Sequence, residues 1–126
     1  MNGKYLAHSP TEDNPEGQLL KEHLLNVACL SGEYARIFKA RAESEFIGIL
    51  HDLGKYSDSF QRRLLGSNEK TDHSTAGAYE AFKRKDIAAS FVVAGHHSGL
   101  PDPGSFQTPD DGGLLGRIEK AKRGEI

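Results

Sequence analysis

The sequence predicts an all-α fold. Apolar residues recur at helical spacing through most of the chain, the one strand-like segment is Tyr5-Leu6-Ala7, and no internal repeat or low-complexity tract appears. Asn14-Pro15 reads as an N-cap followed by proline at the first helical position. The helix it opens carries Leu20, Leu24, Val27, Ser31, Tyr34 and Phe38 and ends near Lys39, with His23 beside the apolar seam. A second helix is expected over Ala42–Lys55, burying Phe46, Ile47, Leu50 and Leu53. A third covers Ser57–Leu65 and stops at Gly66. Ser67–Asp72 is a polar loop, and a fourth helix, capped by Thr71 or Asp72, reaches about Lys85. The fifth, Asp86–His96, is apolar almost all round and suits a buried central position. Gly99–Gly113 changes to Pro, Gly, Asp and Ser, which reads as a long surface loop before a last helix over Leu114–Lys122.

A chain of 126 residues makes one small domain, and 37% hydrophobic with 27% charged residues excludes a disordered chain. Cys29 has no partner for an internal disulfide, lies among apolar residues and is expected to be a buried thiol, which fits a reducing compartment. The segment through Glu16 lacks the apolar core of a signal peptide. The longest apolar run, Ala88–Gly95, is too short to span a bilayer. The expectation is a cytoplasmic protein with no membrane partner. A net charge of −2 excludes an overall field that draws nucleic acid. Local basic clusters (Arg62-Arg63, Lys83-Arg84-Lys85, and Arg117 with Lys120, Lys122 and Arg123) read mainly as solvated helix faces. Bound divalent ions would supply positive charge where a phosphate sits.

The chemistry centres on Ile49-Leu50-His51-Asp52-Leu53-Gly54-Lys55, with His23 before it and His73 and His96-His97 after it. Adjacent helical residues point about 100° apart, so His51 and Asp52 do not chelate one ion as an i, i+4 pair does. They can serve two ions, His51 on the first and Asp52 bridging both, because a carboxylate has two oxygens and a neutral imidazole offers one nitrogen. His23 can join His51, while His73, His96 and His97 can complete the second shell. Two ions roughly 3.5–4 Å apart suit phosphodiester hydrolysis. Imidazole and carboxylate together favour transition ions such as Mn, Fe, Ni or Co, with Mg as a further candidate. Lys55, three residues after Asp52, can hold a phosphate oxygen or stabilise developing charge, which makes Asp52 and Lys55 the candidate catalytic pair.

These residues resemble the HD superfamily of metal-dependent phosphohydrolases. More narrowly, they resemble the HD nuclease domain of the CRISPR-associated type I helicase–nuclease. The likeness is carried by Tyr5-Leu6-Ala7-His8-Ser9, Leu20–Val27 with His23, and His51-Asp52-Leu53-Gly54-Lys55 followed by Phe60-Gln61 and Leu64. It continues in His73-Ser74 with Ala76-Gly77-Ala78, and in Gly95-His96-His97-Ser98-Gly99-Leu100-Pro101. The Phe-Gln after the lysine is typical of the CRISPR branch. The resemblance implies an HD-domain helical bundle around a dinuclear centre that cuts single-stranded DNA in antiviral defence. It implies His23, His51 and Asp52 on the first ion, and Asp52, His73, His96 and His97 on the second. Its partners would be single-stranded DNA, a helicase domain or subunit and a CRISPR surveillance complex. Family members carry a later aspartate on the first ion, and Asp102, Asp110 and Asp111 do not match it. Residues 1–126 are therefore expected to form the N-terminal part of such a domain, without its C-terminal helices. Two other readings stay open: an HD phosphohydrolase of nucleotides or cyclic dinucleotides, and a non-catalytic metal-binding HD module.

Overall fold

The computed structural model describes residues 4–126, so the first three residues of the expected domain lie outside the described ones. Six α-helices dominate these residues: α1 (Leu20–Ala35), α2 (Arg41–Leu50), α3 (Asp58–Leu64), α4 (Ser74–Lys83), α5 (Ile87–Gly95) and α6 (Leu114–Lys122). The all-α expectation holds. One small sheet accompanies the helices, in which β1 (Leu6–His8) pairs antiparallel with β2 (Gln18–Leu19).

Turn chemistry moves the start of the first helix. Asn14-Pro15 does not open a helix; it forms a turn in which the Gly17 N–H donates to the Asn14 carbonyl at 3.1 Å. Gly17 sits at φ +72°, so the chain reverses there and pairs with β1 before α1 begins at Leu20. Pro at the second position of a turn and Pro at the first position of a helix leave the same two-residue signature. The Leu20 N–H then donates to the Tyr5 carbonyl at 2.8 Å, which fixes the opening segment over the helix start. Elsewhere side chains cap the helix starts. The Ser57 hydroxyl accepts from Phe60 N–H at the head of α3, and Asp86 accepts from Ala89 N–H at the head of α5.

Packing corrects the expected apolar seam of α1. Its buried face is Leu20, Leu24, Ala28 and Gly32, whereas Tyr34 and Phe38 are 73% and 77% exposed. Small residues set the distance between neighbouring helices. A Cβ on Gly48 of α2 would lie 2.6 Å from the Ala28 Cα, and one on Gly77 of α4 would lie 2.0 Å from the Leu50 carbonyl oxygen. The main core joins Leu50, Ala78, Ala81, Ala89, Val93, Ala94, Leu114 and Ile118, with Phe46, Phe82 and Phe91 against it. A second cluster places Ala7 of β1 on Leu20 and Leu24.

Two further expectations change. Cys29 is exposed, because it faces away from the buried side of α1. Helix α5 is buried on one side only, with Ile87 and Val92 turned outward. The loop before α6 is fastened at its base, where the Leu114 and Leu115 N–H groups each donate at 2.8 Å to the Asp102 and Pro103 carbonyls. No helix among the described residues is long and apolar enough to cross a membrane.

Gly77→Ala should destabilise the fold by at least about 2 kcal/mol, since the added methyl meets backbone that cannot move aside. A urea unfolding midpoint within error of the parent would contradict this account of the α2–α4 contact.

Candidate metal centre

Asp52 lies where α2 stops. The His51 N–H still donates to the Ile47 carbonyl at 2.9 Å, but Asp52 leaves the helix at φ −112°, ψ 19° and starts a 3-10 turn over Leu53–Tyr56. The helix expected to run through to Lys55 is therefore broken at its most chemical residue. The break lets Gly54 run against the segment before α4, with its N–H donating to the His73 carbonyl at 3.2 Å. A Cβ at position 54 would lie 2.2 Å from that oxygen, so only glycine permits the approach.

Asp52 is 3% exposed, and its two oxygens face different sets of bases. Oδ2 lies 3.0 Å from His23 Nε2, 3.2 Å from His51 Nε2 and 2.9 Å from Lys55 Nζ. Oδ1 lies 3.4, 3.3 and 4.0 Å from the Nε2 atoms of His73, His96 and His97. The six residues singled out as candidate ligands are thus brought together in two groups that share Asp52: His23, His51 and Asp52, and Asp52, His73, His96 and His97. Within each group the ligand atoms lie within 4.8 Å of one another. His8 lies beside them, its ring edge-on to His23 with centroids 5.4 Å apart. Asp110 instead pairs with Lys120, and Asp111 accepts from the Gly113 N–H.

The donor set fits a cation. A carbonyl oxygen only accepts, so His51 Nδ1, 2.7 Å from the Gly48 carbonyl, and His96 Nδ1, 2.7 Å from the Val93 carbonyl, both carry their protons. With Nδ1 so engaged, each ring turns its Nε2 toward the Asp52 carboxylate, where either a proton or a cation can bridge the two. His73 and His97 likewise bring their Nε2 atoms within 2.7 Å. Lone pairs converging on an anion repel unless protons or metal ions lie among them. Anchoring the far ring nitrogen on a backbone carbonyl is how metal-ligating histidines are held.

Burial and charge sort the protonation states of these groups. Burial alone would raise the Asp52 pKa, but hydrogen bonds with His51, His96 and Lys55 hold it far below the usual carboxylate range. Burial pushes His73 down to about 4, outweighing the attraction of Asp52, so its ring is neutral near pH 7. Burial also lowers His23. For His51, burial acts downward, yet the bonds to Asp52 and the Gly48 carbonyl raise it.

Lys55 occupies a different place from the one expected of a group reaching for phosphate. It is 5% exposed, and beyond Asp52 its Nζ donates to the Ala7 carbonyl at 3.2 Å. The Phe60-Gln61 pair supports this corner. Phe60 packs its ring against His73, with centroids 5.1 Å apart, and under Lys55 Nζ at 5.3 Å. Gln61 Nε2 donates to the Leu6 and Lys55 carbonyls, while its Oε1 accepts from the Leu6 N–H. Sequence reasoning missed Arg117, which touches Asp72, Ser74, Thr75 and Ala94 around the histidines. Its only signal was membership of a basic cluster that reads as a solvated face.

A profile of the HD domain family matches residues 20–122. No curated protein matches the chain.

In EDTA, Lys55→Met should cost about 3–5 kcal/mol, because the Asp52 carboxylate loses its ammonium partner in a buried site. The loss should shrink in excess manganese, where the ion balances the same charge. Urea titrations with and without EDTA test this; an equal loss in both would contradict a shared role for Asp52.

Proposed function

Because the chain belongs to the HD domain family, whose members are metal-dependent phosphohydrolases, we propose that it is a nuclease hydrolysing phosphodiester bonds of single-stranded DNA in type I CRISPR defence. Its proposed partners are a helicase domain or subunit and a CRISPR surveillance complex. The observation that carries the reading is the buried Asp52 carboxylate, whose two oxygens face two separate histidine sets.

His23, His51 and Asp52 would hold one divalent ion, and Asp52, His73, His96 and His97 a second. When bound, such ions supply Lewis-acid polarisation of a phosphate and offset charge on the departing oxygen. The ligand chemistry favours Mn, Fe, Co or Ni, with Mg as a further candidate. The protein's own groups prepare the site. Asp52 is held ionised, His51 and His96 are fixed in one tautomer by their carbonyl partners, and Lys55 locks Asp52 from behind. The His97 side chain is 59% exposed, so the four-donor group opens to solvent on a side that an extended polymer can reach. Phe60-Gln61, the pair typical of the CRISPR branch, braces Lys55 and His73, which supports DNA over a free nucleotide.

One observation favours a second reading. The Asp52–His73–His96–His97 group offers four protein donors, a full shell that suits a module holding metal without cutting, whereas the three donors of His23–His51–Asp52 leave a position open for water or substrate.

Turnover of a single-stranded oligonucleotide, free nucleotides and cyclic dinucleotides in manganese separates these readings. DNA should be the best substrate, and Asp52→Ala should lower cleavage at least about a hundredfold with helical content unchanged. Faster hydrolysis of either small substrate, or cleavage surviving in pure Asp52→Ala protein, would sink the nuclease assignment. Calorimetry should also show manganese held more tightly at the four-donor group. Replacing His96 or His97 should then weaken the tighter site alone.

A further inference from the structure

Arg117 is the one residue of the C-terminal basic cluster that turns inward; its side chain is 18% exposed. From α6 it reaches both helix ends that carry the four-donor group. Nε donates to the Thr75 hydroxyl at 2.8 Å, and Nη2 donates to the Ser74 hydroxyl at 2.6 Å and lies 3.4 Å from Asp72. These three residues flank His73. Asp72 accepts from the Ser74 and Thr75 N–H groups at the head of α4, so the guanidinium grips the cap that sets where His73 points. On the other side, Nη1 donates to the Ala94 carbonyl at 2.9 Å, two residues before His96. The next turn leaves that carbonyl unused, because the Ser98 and Gly99 N–H groups both go to Gly95. A rigid planar fork joins the start of α4 to the end of α5 with four hydrogen-bonded contacts, a geometry that the ammonium of lysine does not reproduce.

We infer that Arg117 is a positioning residue for the Asp52–His73–His96–His97 group: it sets the separation of His73 from His96-His97 and so selects for an ion there. No contact joins it to His23 or His51, which come from α1 and α2. Its effect should therefore be confined to one of the two groups. The inference rests on the metal-binding reading above.

The test is manganese binding to the whole chain, by calorimetry for affinity and by anomalous scattering from manganese-soaked crystals for the occupancy of each group. In Arg117→Gln, affinity at the four-donor group should fall about ten- to a hundredfold. Affinity at the His23–His51–Asp52 group should stay within about twofold. Ile118→Val, a core truncation on the same helix, should lower thermal stability yet leave both affinities unchanged, as a merely structural role would not predict for Arg117. Should Arg117→Gln fail to fold, Arg117→Lys carries the same test, with a loss of about three- to tenfold at the four-donor group alone. Equal losses at both groups, or none at either, in the variant that folds would overturn the inference. Parent protein that takes up no manganese would overturn the metal-binding reading and this inference with it.

Discussion

A carboxylate buried to 3% exposure is the constraint around which this small domain is arranged. Removing an ion from water costs several kcal/mol even after the surroundings relax, so Asp52 is tolerable only where opposite charge or convergent donors surround it. Helices α1 to α5 and β1 send groups to that purpose directly, and α6 acts at one remove through Arg117. His23 comes from α1, Phe60 and Gln61 from α3, His73 from the head of α4, and His96-His97 from the end of α5. Lys55 lies across the carboxylate from the second histidine set and ties it to the carbonyl of Ala7 in β1.

Helices that must deliver short histidine side chains to one point have to approach closely. The contacts between them run through Ala28, Gly48 and Gly77, and Gly54 brings the Asp52 turn against His73. This is why the fold was only partly legible in the sequence. Spacing of large apolar residues located α3, α5 and α6 nearly to the residue, since caps and core residues agree there. It placed Leu20 and Leu24 correctly but misplaced the later seam of α1, where the buried positions are Ala28 and Gly32 and the conspicuous Tyr34 and Phe38 face solvent. A small residue at a helix crossing leaves no hydrophobic signal, although it sets the geometry.

The candidate site was legible because its residue types are rare and clustered. His51-Asp52 and His96-His97 stand out on any reading, and the structure brings them together with His23 and His73. The supporting groups were far less visible. A half-buried guanidinium at Arg117 and a solvated one at Arg123 look alike as letters, and only the chain path shows which meets the Ala94 carbonyl. Gln61 was conspicuous as part of a pattern, but its work is backbone bonding to Leu6 and Lys55, which no spacing rule announces. The helix break at Asp52 was missed for a related reason. It follows from the contact of Gly54 with a residue nineteen positions later, and periodicity reports only local structure.

The contact between Gln61 and Leu6 spans 55 residues, Lys55 to Ala7 spans 48, and His96 to Asp52 spans 44. Closing loops of that length costs entropy that helix formation within α1 or α4 does not. Local helices can therefore form while Asp52 is still hydrated, and the carboxylate loses its water only when distant segments arrive together. The slowest contacts to form are then the ones that assemble the centre, which links the completion of folding to the completion of the site.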